Sequence, residues 1–373
     1  MTLVRFAAKL LPGDAMATVS LPFRTLAWEG GIDGRFLILD QRRLPREQKE
    51  IELATVAAVR DAIKSLAVRG APALGAAAAY GLVIAARAGA DAAGVRQCLR
   101  EGRACLASSR PTAHNLFWGL DRVARAGDGV EQDRARLLAR LLAEARAIER
   151  EDAAACEAIG RHGLTLLPDP VRAMTQCNAG ALATCGIGSA LAPLYMAHAA
   201  GRDVAVIARE TRPLLQGARL TAWELAQAGI DVTLIADAAA AHCLARGKAN
   251  CIIVGADRIA RNGDTANKIG TYELALAAAR HRVPFFVAAP LSTFDPALRA
   301  GDAIVIEERP GEEISVIGGS LRVAPEGVCC ANPAFDVTPA ELITAIVTEE
   351  GVARPPYERS IDALLAGAAG APA

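Results

Sequence analysis

Aromatic residues make up only 4% of this chain, and neither sign of charge is in excess: 41 Lys and Arg stand against 41 Asp and Glu. With no net charge there is no broad electrostatic footprint for nucleic acid or a membrane surface, so neither is expected as a partner. The cysteines, at positions 98, 105, 156, 177, 185, 243, 251, 329 and 330, contain no C-x-x-C pair, which leaves a zinc ribbon or thioredoxin-like site without support. Their odd number and loose spacing are also unlike a secreted disulfide scaffold, so the expected compartment is reducing and cytoplasmic, with mostly inert thiols. The histidines (114, 162, 198, 242 and 281) lack ligand spacing, and no metal is expected. Long apolar runs are missing too. The Ala-rich stretch from Ala71 is interrupted by Gly75, Tyr80 and Gly81 before it can span a bilayer. The first residues mix Arg5, Lys9, Pro12 and Asp14 among apolar ones and do not read as a signal peptide.

What is present is ample core material: 52% hydrophobic residues in 373, with abundant Ala and Gly suited to closely packed helices. Domains usually hold roughly 100–200 residues, so two are expected. The first forty residues read as extended, with Phe36–Asp40 the clearest strand. From Gln48 to Arg125 the periodicity is helical, with breaks at Arg69-Gly70-Ala71-Pro72 and at 108–112. A charged amphipathic helix from about Glu131 to Gly163 follows. Beyond Pro168 short apolar strands alternate with helices: 171–176, 203–208, 232–235, 251–254 and 285–288 each read as buried strands, with helices at 217–228, 238–246 and 270–280. That alternation predicts an α/β fold, a Rossmann-like parallel sheet with helices on both faces. The expected boundaries are an N-terminal strand and helical domain over 1–130, a connecting helix over 131–165, the sheet domain over 166–363 and a flexible tail over 364–373.

In such sheets ligands bind beyond the carboxyl ends of the strands, at a switch point. Two polar strand ends stand out. Cys177-Asn178-Ala179-Gly180 follows the 171–176 strand, where the amides of a following helix would favour a thiolate; the plain alternative is a buried small residue. Asp257, in Val254-Gly255-Ala256-Asp257-Arg258, ends another strand and suits a general acid if burial raises its pKa; the alternative is a helix N-cap. The polar stretch Asn262–Gly270 reads as a loop entering a helix, whose amides together with Lys268 form an anion cradle. Its glycine spacing does not match a Walker loop. Arg69 and Arg110 sit at helix breaks and offer guanidinium forks for phosphate, and Gly70 permits close backbone approach; solvated surface charges are the alternative. Glu210-Thr211-Arg212-Pro213, with Gln216 beyond it, is a further polar strand end.

Together these segments resemble the S-methyl-5-thioribose-1-phosphate isomerase family, aldose–ketose isomerases of methionine salvage. The matching stretches are Arg69-Gly-Ala-Pro-Ala-Leu-Gly, Arg110-Pro-Thr-Ala-His-Asn-Leu-Phe-Trp, Cys177-Asn-Ala-Gly-Ala-Leu-Ala-Thr and Glu210-Thr-Arg-Pro-Leu-Leu-Gln-Gly-Ala-Arg-Leu-Thr-Ala-Trp-Glu-Leu. Val254-Gly-Ala-Asp-Arg-Ile-Ala-Arg-Asn-Gly-Asp-Thr-Ala-Asn-Lys-Ile-Gly, Pro284-Phe-Phe-Val-Ala-Ala-Pro and Asn332-Pro-Ala-Phe-Asp-Val-Thr-Pro complete the set, and the likeness runs from about Arg24 to Tyr357.

The resemblance implies an N-terminal helical domain, a Rossmann-like C-terminal domain, a homodimer and catalysis without a cofactor. It assigns Asp257 as proton donor and Cys177 as second catalytic residue. Substrate contacts carry over to Arg69, Gly70, Ala71, Arg110, Gln216, Asn267 and Lys268. Two positions depart from the family's habit: Gln176 stands where His often precedes the cysteine, and Gly186-Ile187-Gly188-Ser189 where relatives carry an aromatic and a Thr. Gln carries no positive charge, so activation by an adjacent imidazolium is absent. An apolar pocket separates small apolar groups only roughly 10–200-fold, so the resemblance also admits 5-deoxyribose 1-phosphate as substrate. The competing readings are another pentose-phosphate isomerase of the superfamily, such as one acting on ribose 1,5-bisphosphate, and a non-catalytic regulatory subunit like those of translation initiation factor 2B.

Overall fold

The computed structural model describes residues 4–8, 17–110, 113–129 and 133–369. Pro111 and Thr112 of the second helix break, the expected start of the connecting helix and residues 370–373 of the expected tail lie outside them. The chain divides into two compact units, one holding chiefly Pro22–Ala154 and Ala181–Gly188, the other chiefly Ala155–Gly180 and Ser189–Ala373.

In the first unit an antiparallel sheet of Leu26–Glu29, Arg35–Leu39 and Glu50–Glu52 packs beside helices Val56–Lys64, Ala71–Ala86, Ala92–Ala107 and His114–Ala126. Glu50–Glu52 was expected to be helical; it pairs instead with Arg35–Leu39, Leu37 opposite Glu52. The helix Ala71–Ala86 is apolar all round and almost wholly buried, as an interior helix must be. Small residues make this possible, since Gly119 meets the Gly75 backbone where a Cβ has no room. Tyr80 stacks on Trp28 with ring centroids 5.4 Å apart, and Phe36 lies against the same Tyr80 ring at 5.1 Å.

The second unit is built on a seven-stranded sheet, in the order Gly351–Ala353, Ala345–Thr348, Phe285–Ala288, Cys251–Val254, Val171–Thr175, Val204–Arg209, Asp231–Ile235. All neighbours run parallel except Gly351–Ala353, which is antiparallel to Ala345–Thr348. Covered on both faces, the central strands are apolar without alternation, and Cys251–Val254 and Phe285–Ala288 are buried throughout. Asp231–Ile235 was expected to be buried as well. It is an edge strand with one neighbour, and Leu234 is 48% exposed.

A second sheet was not anticipated. Thr265–Lys268, expected to be loop, pairs antiparallel with both Arg258–Ala260 and Phe335–Thr338. The partner strand lies about seventy residues further along, a pairing no local pattern reveals. The helix Tyr357–Ala369 continues well into the stretch expected to be a loose tail. No helix among the described residues is long and apolar enough to cross a membrane.

Candidate active site

The sheet of the second unit reverses its direction of growth at one place. From Val171–Thr175 the chain adds Val204–Arg209 and Asp231–Ile235 on one side, then returns to place Cys251–Val254 on the other. The crevice at the carboxyl ends of Val171–Thr175 and Cys251–Val254 is therefore a topological switch point. Cys177 follows one of these strands and Asp257 the other. Their loops touch: a Cβ on Gly255 would come within 2.7 Å of the Ala179 Cβ.

Cys177 is half-buried and adopts φ +63°, a left-handed conformation uncommon outside glycine. No helix follows it as expected. Residues 178–180 form a loop and Ala181–Ala183 a single 3-10 turn, so helix amides do not support the thiol. The backbone is held by hydroxyls instead: the Cys177 N–H donates to Thr211 Oγ1 at 2.9 Å, and Thr221 Oγ1 donates to the Cys177 carbonyl at 2.6 Å. Cys156, Cys243 and Cys251 are buried, and burial pushes the Cys251 thiol up to about 12, which makes it unreactive at neutral pH.

Asp257 is followed by a strand, which removes the N-cap alternative. Its N–H donates to Ala266 O at 2.9 Å, tying it to the second sheet, and its side chain is exposed. The burial expected for this acid is therefore not supplied by the chain itself.

On that second sheet, Asn267 and Lys268 lie opposite Asp336 and Phe335. Asn267 is buried and donates from Nδ2 to Thr271 Oγ1 at 3.0 Å. Lys268 Nζ donates to Ala334 O at 2.9 Å and stands 4.2 Å from the centre of the Phe335 ring, so its charge is steered by a carbonyl and an aromatic face. The anion cradle expected at the following helix is already filled. The Gly270 and Tyr272 amides donate to the Asp336 carboxylate at 2.7 and 3.1 Å. Burial pushes that carboxyl above its usual range against the opposing pull of those amides. Gln216 is buried at the N-terminal end of a π-helical turn over Gly217–Thr221, with no hydrogen-bond partner for Oε1 among the described residues.

Arg69, Gly70, Ala71 and Arg110 belong to the first unit. Arg69 and Arg110 are half-buried, at a helix start and a helix end. Gly70 has φ +93° and caps Ala71–Ala86. The close approach expected there is made by the chain itself, since a Cβ on Gly70 would overlap the Ala183 backbone. That same segment is tied to the first unit by Thr25 Oγ1, which donates to Ala181 O at 2.6 Å, and by Gln41 Nε2, which donates to Leu182 O at 2.7 Å.

Sequence reasoning missed the polar layer beneath Cys177. Arg209 is fully buried and donates to Gly270 O at 2.7 Å and to Asp237 O at 3.0 Å; the Asp237 carboxylate accepts from the amides of Thr211 and Arg212 at 2.9 and 2.7 Å. Asn178 and Glu224, both buried, are hydrogen-bonded to each other. Polar residues at the end of an apolar strand, as in Arg209–Arg212, were the available signal. Among the described residues no group of three or more His, Cys, Asp or Glu side chains is arranged to hold a metal ion.

The chain matches the model of the Initiation factor 2 subunit family over residues 67–355. It is 54% identical over 341 residues to a methylthioribose-1-phosphate isomerase of Pelotomaculum thermopropionicum, covering 90% of this chain and 93% of the relative. A 5-deoxyribose 1-phosphate isomerase of Moorella thermoacetica is also 54% identical, over 350 residues, with 93% and 98% covered. The crystal structure of 5-methylthioribose 1-phosphate isomerase from Pyrococcus horikoshii OT3 superposes with a TM-score of 0.87 at 41% identity, covering 92% of this chain and 96% of that one. Likeness of this depth covers most of the sequence: the chain belongs to the Initiation factor 2 subunit family, alongside its methylthioribose-1-phosphate isomerases.

Proposed function

We propose that the chain is an aldose–ketose isomerase of methionine salvage, converting S-methyl-5-thio-α-D-ribose 1-phosphate to S-methyl-5-thio-D-ribulose 1-phosphate. The observation that carries this reading is the placement of Cys177 and Asp257 on the two strand ends that flank the switch point, their loops in contact. A furanose phosphorylated on its anomeric carbon has no free aldehyde, so the ring must open first. Asp257 protonates the ring oxygen as the bond from C1 to that oxygen breaks. Substrate seated over this exposed carboxyl excludes water from it, the desolvation that the chain alone does not provide. Hydrogen then passes from C2 to C1 with the assistance of Cys177, the C2 hydroxyl becomes the ketone as it gives up its proton and so restores the one Asp257 donated, and the phosphate stays on C1. Homodimerisation and a cytoplasmic location belong to the same reading.

A regulatory subunit of the same fold has no need of both the Cys and the Asp, so their joint presence favours the enzyme. Purified protein is expected to convert methylthioribose 1-phosphate to the ketose without added cofactor. The 5-deoxy analogue is expected to be turned over within roughly 10–200-fold of it, because an apolar pocket discriminates weakly between such groups. If neither sugar is converted, the enzymatic reading is lost; conversion of ribose 1,5-bisphosphate alone favours the other isomerase.

The proposed phosphate and sugar contacts are Arg69, Gly70, Ala71, Arg110, Gln216, Asn267 and Lys268. A hydrogen bond to a charged group is worth roughly 1.5–3 kcal/mol, so Arg69→Ala, Arg110→Ala and Lys268→Ala should each raise the inhibition constant of a non-reacting phosphate analogue by ~10-fold or more. Three unchanged constants would return these side chains to an ordinary surface role.

A further inference from the structure

The left-handed backbone of Cys177 is held from both sides by buried hydroxyls, and the direction of each hydroxyl is itself determined. Thr211 Oγ1 donates to Arg209 O at 3.2 Å, which turns a lone pair toward the Cys177 N–H at 2.9 Å. Thr221 Oγ1 receives a proton from Asn178 Nδ2 at 3.1 Å, leaving its own single proton for the Cys177 carbonyl at 2.6 Å. The second Asn178 Nδ2 proton goes to Glu224 Oε1, so the amide turns its nitrogen toward both Thr221 and Glu224. Glu224 is 0% exposed, and it lies so close beneath the loop that a Cβ on Gly180 would overlap its carboxylate. Thr211 has φ +65° and is anchored through its own amide by Asp237. Uncommon backbone conformations persist where their surroundings over-determine them. Here two threonines, an amide and a carboxylate determine the two peptide groups that flank one residue.

We propose that Thr211 and Thr221 are positioning residues for Cys177, aiming its thiol by gripping the peptide on either side, and that Glu224 orients the second grip through Asn178. This rests on the catalytic reading of Cys177. None of these side chains touches substrate in the proposal; they act on turnover only through the cysteine.

Thr221→Val keeps the shape and removes the hydroxyl. With methylthioribose 1-phosphate it is expected to lower kcat by ~10-fold or more, because small misplacements of reacting groups are costly, while KM changes less than ~2-fold. Thr221→Ser should restore most of the loss. In a Cys177→Ser background the same Thr221→Val change is expected to cost nothing further, the mark of two residues acting as one unit. Alkylation of the Cys177 peptide by iodoacetamide, followed by mass spectrometry, should slow in Thr221→Val and recover in Thr221→Ser. If Thr221→Val does not fold, Thr211→Val loosens the peptide group on the other side of Cys177 and reads the same quantities. Normal kcat in whichever variant folds, or an equal loss in both backgrounds, overturns the positioning role while leaving Cys177 catalytic. Normal turnover by Cys177→Ser itself overturns the reading beneath it.

Discussion

Asp257→Asn is expected to lower turnover by at least ~10²-fold while leaving the fold intact, since general acid catalysis contributes 10²–10⁴-fold and the amide has no transferable proton. The structure makes this a clean substitution. The side chain is exposed, and the residue is held through its backbone, whose N–H donates to Ala266 O at 2.9 Å. Surface changes of this kind move stability by no more than about 0.5 kcal/mol. Thermal melting and affinity for a product analogue should therefore match the wild type while kcat collapses. Near-normal turnover would remove Asp257 from the chemistry.

Cys177→Ser should be nearly as damaging, again with folding and product binding retained. Serine keeps the size of cysteine but not the acidity of a thiol, and the two hydroxyls that hold residue 177 contact only its backbone. A loss of ~10²-fold or more in kcat is the expected result, on the scale of other acid–base residues. Substitution of the buried Cys251, whose thiol is pushed up to about 12, should leave kcat unchanged. Substrate deuterated at C2 then separates the two forms of assistance. Loss of the label to solvent in wild type, suppressed in Cys177→Ser, identifies the thiol as a proton carrier. Complete retention means that hydrogen moves directly from C2 to C1 and that Cys177 acts on the charge that develops. A Cys177→Ser enzyme with normal turnover would end both.

The strands of the parallel sheet were legible because they are buried on both faces. Cys251–Val254 and Phe285–Ala288 must be apolar at every position, and polar residues mark where each one leaves the sheet. Cys177 and Asp257 stand at such exits, so the chain itself marked them as candidates. The Asp231–Ile235 strand has the same apolar look but lies at the sheet's edge, since neighbour number belongs to strand order and not to composition. Thr265–Lys268 was invisible as a strand because its partner, Phe335–Thr338, is remote in sequence. The amides at Gly270 and Tyr272 read as an empty anion site because Asp336, which occupies them, arrives through that same remote pairing. Local patterning thus determined the alternation of strands and helices, the two candidate strand ends and the family. Only the tertiary structure decided what holds each site residue: Cys177 rests on Thr211 and Thr221 and not on a helix end, and Gly70 makes room for Ala183. The physical reason is the range of the interactions. Hydrophobic periodicity is written over neighbouring residues, whereas a buried hydrogen bond needs its donor and acceptor brought together from anywhere along the chain.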